Sequence, residues 1–126
     1  MVEAVTPGGD VVLRDRDAIA AEATSIDAIL MQCGHARIPR RVDLPSGRVI
    51  PNPGGVGCLA YGDDAPFPHA VQTGMGAACY AAVEKTPVGW AAAFRHVPYD
   101  PRRMIEMAKA ADHPNWEIRP ATGWIA

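Results

Sequence analysis

Apolar residues at a helical period follow two acidic residues near the start of the chain. The acids are Asp15 and Asp17, and either suits a helix N-cap because a carboxylate accepts hydrogen bonds from free backbone N–H groups. Three apolar residues then share one helical face: Ile19, Ala23 and Ile26. The pattern predicts a helix over residues 14–24. The apolar run 28–31 is either the end of this helix or a short buried strand, and we favour the strand.

Turn-forming residues between apolar runs predict two hairpins in the first half of the chain. Residues 1–13 place Pro-Gly-Gly-Asp between two Val-containing segments. They form either a small hairpin or an ordered arm that lies on a neighbouring subunit. Residues 40–50 have the pattern of strand, turn and strand, with Pro45-Ser46-Gly47 in the middle.

The C-terminal part predicts a strand–helix–strand unit over residues 88–119. Residues 88–97 alternate so that four side chains share one face of a strand: Trp90, Ala92, Phe94 and His96. Asp100-Pro101 is a helix start, and the helix is predicted to run to about Ala111. Residues 116–119 then predict a short strand.

The composition of the chain limits the class of protein but does not indicate a specific biochemical function. The 126 residues predict one α+β domain over 1–126, with an ordinary 48% of hydrophobic residues and 21% of charged residues. A net charge of −2 argues against a general nucleic-acid or membrane-surface binder. No leader with the pattern of a signal peptide and no apolar run of membrane-spanning length occurs in the sequence. Three cysteines, an odd number, favour reduced thiols, and hence the cytoplasm or the inside of an assembled particle.

The most specific candidate chemistry is a zinc clip over residues 33–58. Cys33-Gly34-His35 offers two ligands from one tight turn, and a hairpin would bring Cys58 back beside them. This pattern resembles a zinc ribbon with one degenerate knuckle. The fourth ligand would be Cys79, with His69 or the acids Asp63 and Asp64 as alternatives. The competing interpretation is that the cysteines are small buried hydrophobic residues and that His35 lies at the surface.

A second candidate is a cysteine nucleophile. Two glycines and an Ala-rich run over residues 74–84 predict a loop that enters a helix, with Cys79 near the helix N-terminus. A helix dipole there would favour the thiolate, and His69, His35 or His96 would serve as its base. The alternative is that Cys79 belongs to the core.

Without a convergent catalytic set, the sequence favours a non-enzymatic structural or adaptor protein of a larger assembly, for example a virion or phage component. A structural Zn²⁺ would stabilise its glycine- and proline-rich fold. We expect protein partners, or copies of the same chain, to bind through the termini, where Trp116 and Trp124 are either core residues or anchors. The rivals are a hydrolase or transferase that uses Cys79 with His69, and a metal enzyme that keeps an open water position at the zinc site.

Overall fold

A chain of hairpins makes up most of the protein. The computed structural model describes residues 2–113, 116 and 119–125. Within them, eight strands pair in chain order as four antiparallel two-stranded sheets, and three helices complete the α+β domain. The strands are β1 (Glu3–Val5), β2 (Val11–Leu13), β3 (Arg40–Asp43), β4 (Val49–Asn52), β5 (Ala60–Asp63), β6 (His69–Gln72), β7 (Ala77–Thr86) and β8 (Gly89–Pro98). The helices are α1 (Arg16–Ala23), α2 (Arg102–Ala110) and α3 (Arg119–Thr122).

The main core lies between helix α1, the first hairpin and the β3–β4 hairpin. Six buried apolar side chains form it: Val2, Ile19, Ala23, Val42, Leu44 and Ile50. Helix α1 begins where the Asp15 carboxylate accepts hydrogen bonds from the backbone N–H groups of Asp17 and Ala18, at 2.9 and 3.1 Å. The helix predicted over residues 14–24 is therefore confirmed, together with its cap.

The β3–β4 hairpin confirms the strand–turn–strand pattern predicted over residues 40–50. Its turn is closed by a hydrogen bond from the N–H of Gly47 to the carbonyl of Leu44, at 3.0 Å. Gly47 has a φ of 76°, a left-handed conformation that glycine adopts without strain. The strand predicted over residues 28–31 is reduced to one parallel bridge between Leu30 and Val49.

Of the two alternatives predicted for residues 1–13, a hairpin or an arm on a neighbouring subunit, the structure shows the hairpin. Strand β1 pairs with β2, and Val2, just before β1, is 2% exposed within the main core. This segment is therefore part of the domain's own packing. The C-terminal segment is also attached, since the N–H groups of Thr73 and Gly74 both donate to the carbonyl of Gly123 at 3.1 Å.

The prediction of a C-terminal strand–helix–strand unit is wrong in its second strand. The strand predicted from residue 88 is observed as β8, and the predicted helix as α2, with the Asp100 carboxylate accepting from the N–H of Arg102 at 3.0 Å. The strand predicted over 116–119 lies partly outside the described residues, and Arg119 begins the short helix α3. Strand β8 pairs with the strand before it, because a turn over residues 86–89 joins the two directly.

The helix predicted around Cys79 is also wrong, because residues 77–86 form strand β7. The Ala-rich composition favoured a helix by intrinsic propensity. Pairing with β8 along ten residues overrides that preference, as tertiary context commonly does. No helix in the described part of the chain is long and apolar enough to cross a membrane.

Candidate functional site

The longest hairpin of the protein makes few contacts with the other helices and strands of the described chain. We call residues 77–98, strands β7 and β8 with their turn, the arm. Each strand has ten residues, whereas the other six strands have three or four. Its strands pair along their full length, and contacts between the arm and the other elements of the described chain are sparse.

The arm turn is fixed by side-chain hydrogen bonds at its tip. The Thr86 hydroxyl donates to the carbonyl of Gly89 at 2.9 Å and accepts from the N–H of Val88 at 3.3 Å. Gly89 has a φ of 132°, a conformation that residues with a Cβ rarely adopt. Val88 is 98% exposed, so the tip extends an apolar side chain into solvent.

The two faces of the arm differ in what covers them. One face, called the inner face, carries most of the half-buried residues of the arm, and Cys79 at its base is 4% exposed. Among the described residues, two hydrogen bonds attach the arm to the body. Arg41 donates to the carbonyl of Trp90 at 2.7 Å, and the N–H of Cys79 donates to the carbonyl of Gly55 at 2.8 Å. The half-buried inner residues are Ala81, Val83, Trp90, Ala92 and Phe94.

The opposite face, called the outer face, is exposed and mostly apolar. Tyr80 is 51% exposed and Val97 is 45% exposed. Small alanines lie between and above them, with Ala82 and Ala93 directly paired across the two strands. The charged residues of this face are Glu84 and Arg95. A flat apolar face of this kind is typical of a surface that packs against another protein.

A separate cavity of about 330 Å³ lies between the first hairpin and the β5–β6 hairpin. Tyr61 is its central aromatic residue: its ring centroid lies 5.7 Å from that of His35 and 6.1 Å from that of His69. The guanidinium of Arg37 lies 4.7 Å from the same ring centroid, a cation–π contact. The Nδ1 atom of His69 donates to the carbonyl of Phe67 at 2.8 Å.

A buried carboxylate, Glu3, belongs to the wall of this cavity. Its side chain is 4% exposed, and neither carboxylate oxygen has a hydrogen-bond partner among the described residues. Arg40 lies 3.6 Å away, at ion-pair distance. Loss of hydration raises the pKa of Glu3 above its usual value, and the charge of Arg40 opposes this rise only in part. Both oxygens are closed to water, so the contents of the cavity do not reach them in this conformation.

The four residues predicted as zinc ligands, all in the described part of the chain, are not brought together as a metal site. The described residues contain no group of three or more His, Cys, Asp or Glu side chains placed to hold a metal ion. The Cys58 thiol donates to the carbonyl of Ala60 at 3.1 Å, and the Cys79 thiol donates to that of Ala77 at 3.6 Å.

The other two predicted ligands, Cys33 and His35, lie beside Glu3. Burial and the nearby carboxylate of Glu3 both raise the pKa of the Cys33 thiol. His35 lines the cavity described above and has a φ of 77°. Bound zinc stays a prediction, which metal analysis of the purified protein tests.

Cys79 has the environment of a buried structural thiol. Burial raises its pKa, whereas a nucleophilic cysteine needs a lowered one. Its predicted base, His69, belongs to strand β6 and lines the 330 Å³ cavity between the first hairpin and the β5–β6 hairpin. Register places His96 directly opposite Cys79 across the arm, but no hydrogen bond between these two described side chains is present.

Sequence reasoning missed both the outer face and Glu3. The two-residue period of residues 88–97 was recognised, but residues 77–83 are a continuous apolar run with no such period, so no local signal indicated a second strand with two faces. No local signal marks Glu3 as buried, because its burial depends on packing between separate hairpins.

No family model matches the chain, and no curated protein matches it.

Proposed function

We propose that this chain is a non-enzymatic structural or adaptor subunit of a larger protein assembly, and that it binds its partner through the outer face of the arm. The observation that carries the proposal is an exposed apolar face on two ten-residue strands that make few contacts with the body. A virion or phage particle is one setting for such a subunit.

Physical stability supports this proposal. An isolated two-stranded hairpin is marginally stable in water, and further strands or a packed face are needed to hold it. Several inner-face side chains are half-buried, and the outer face leaves Tyr80 and Val97 about half exposed. A partner packed on the outer face would bury these side chains and stabilise the arm.

The terminal segments, where partners were expected from the sequence, pack onto the body but also keep exposed apolar side chains, such as Leu13 at 51%. Val2 is buried in the main core. Trp116 and Trp124 are 41% and 49% exposed, so the C-terminal segment keeps some apolar surface. The ring of Trp124 lies against Gly74, which anchors this segment to the body.

The rival functions have less support. The cysteine-enzyme hypothesis relied on a helix at Cys79 where the chain forms a strand. The metal-enzyme hypothesis and the structural zinc both need several ligands placed around one ion, and the described residues contain no group of three or more His, Cys, Asp or Glu side chains placed to hold a metal ion. Binding through the outer face of the arm does not depend on a metal ion.

Site-specific photo-cross-linking tests the proposal. A photoreactive amino acid replaces Ala82 on the outer face, and, as a matched control, Ala110 on helix α2, which is also exposed. The full-length chain is expressed in the cell in which it naturally occurs. We expect a discrete covalent adduct from position 82 and none from position 110, with the cross-linked peptide of the partner read by mass spectrometry.

Equal and weak cross-linking at the two positions would contradict the proposal, because it would show that the outer face meets solvent in the cell. Circular dichroism of both substituted proteins shows that the comparison is made between folded chains.

A further inference from the structure

The register of the arm specifies which partner fits its outer face. The charged residues of this face lie symmetrically about the central pair Ala82–Ala93. Glu84 on β7 lies two residues from the pair toward the tip. Arg95 on β8, opposite Tyr80, lies two residues from the pair toward the base. Each strand thus carries one charge, at equal distance from the centre and on opposite sides of it.

We propose that the partner is a second copy of this chain, packed face to face on the outer face about a twofold axis that runs across the strands at the Ala82–Ala93 pair. This inference rests on the proposed function and names the partner of the same surface. In this arrangement the strands of the two copies run in opposite directions, and Glu84 of each copy meets Arg95 of the other.

The charge pattern selects this arrangement over its alternative. A twofold axis parallel to the strands would place each Glu84 near its own counterpart and each Arg95 near its own counterpart. Like charges placed opposite each other across an interface are unfavourable, so that arrangement is disfavoured. With the axis across the strands, the same four charges form two pairs of opposite sign.

Side-chain size also suits this arrangement. The central alanines leave the middle of the face flat, so two sheets can approach each other closely. The partner's Arg95 would extend over Ala91, whose small side chain leaves room for a guanidinium. In the single chain, Arg95 donates to the carbonyl of its neighbour Phe94 at 3.2 Å, and no ion pair joins Arg95 or Glu84 to another described residue.

The size of the face bounds the strength of the contact. Ten residues at about 3.4 Å and two strands about 4.8 Å apart give a footprint of roughly 330 Å² per copy. A stable interface usually buries about 800 Å² per partner, so this face by itself corresponds to a weak, reversible dimer. We expect self-association in the micromolar range or weaker, at about the strength that repeated contacts in an assembly can use.

A charge-swap experiment tests the arrangement. Sedimentation equilibrium measures the dimer dissociation constant of the full chain, of Glu84→Arg, of Arg95→Glu and of the double variant. Each single variant creates two like-charge contacts per dimer and should weaken the dimer about tenfold or more. The double variant restores opposite charges and should return to within roughly threefold of the original. Glu106→Arg on helix α2 makes the same charge change away from the face and should leave the dimer unchanged.

The outcomes separate this inference from the proposed function. A wild-type chain that stays monomeric would overturn the twofold arrangement. So would single variants with an unchanged dissociation constant, or a double variant in which the two losses of affinity are additive. If position 82 then still cross-links to a different protein, the proposed function stands and only the choice of a second copy fails.

Discussion

At the scale of single residues, the least favourable group in the structure is the carboxylate of Glu3. It is withdrawn from water, its oxygens lack hydrogen bonds in the described structure, and Arg40 stands at 3.6 Å. A buried charge without hydrogen bonds normally costs more than a neutral group of the same shape. This position is therefore where a conservative substitution should stabilise the domain.

We predict that Glu3→Gln raises the free energy of unfolding at pH 7.5 by about 1 kcal/mol, the usual size of a single-residue effect. The pH dependence gives the stronger test. Because folding raises the pKa of Glu3, its contribution is fully present below the ordinary value of 4.5 and is lost as the pH rises through the folded-state pKa. Urea unfolding of both proteins between pH 4 and 8 measures the difference between them, which should grow with pH and then level off. A constant difference would contradict the assignment.

At the scale of single residues, the sequence shows which side chains could react or bind a metal, but not what surrounds each of them in the fold. The sequence identified Cys33, His35, Cys58 and Cys79 as candidate zinc ligands. Whether these four side chains come together depends on how separate hairpins pack. It could not show that Cys58 and Cys79 donate hydrogen bonds to nearby carbonyl groups, because those contacts arise only once the strands and loops are placed.

At the scale of elements, the base of the arm is held by a close contact with a glycine loop. Gly54 has a φ of 94°, and a Cβ added there would lie 2.7 Å from the Cβ of Cys79 and 2.9 Å from the Cγ of Pro39. The next residue, Gly55, accepts the hydrogen bond from the N–H of Cys79 at 2.8 Å. This loop therefore fixes where the arm leaves the body.

We predict that Gly54→Ala destabilises the domain by roughly 2–4 kcal/mol, because backbone strain adds to overpacking. Gly47→Ala is the matched control: its φ is 76° and nothing lies within 4 Å of the added Cβ, so only the strain of about 1 kcal/mol applies. Urea midpoints measure both. Equal effects of the two substitutions would show that the contact at Gly54 is not tight.

Elements whose local signals agree were predicted correctly. Helix α1 has a capping aspartate and a helical apolar period, and the β3–β4 hairpin has a Pro-Ser-Gly turn. Strand β7 was mistaken for a helix because its alanines favour helix locally, while its strand state depends on pairing with β8. The last predicted strand failed at Arg119, where helix α3 begins.

At the scale of the whole molecule, the body buries its own core and the arm does not. The main core is confined to the first hairpin, helix α1 and the β3–β4 hairpin, while the outer face of the arm carries exposed Tyr80 and Val97. Under the proposed function, the outer face is the surface that a partner would cover. The net charge of −2 and the composition of the sequence are compatible with many functions. The exposed outer face of the arm is therefore the feature that supports binding to a protein partner.

The measurement that tests the central claim most directly is sedimentation of Ala93→Asp over a wide range of protein concentration. Ala93 lies at the centre of the outer face, and Ala110→Asp on helix α2 makes the same change at another exposed alanine. We predict that the average mass of the wild-type chain and of Ala110→Asp rises with concentration, while Ala93→Asp remains a folded monomer. Association of Ala93→Asp at the wild-type strength would contradict the claim that copies of this chain associate through the outer face of the arm.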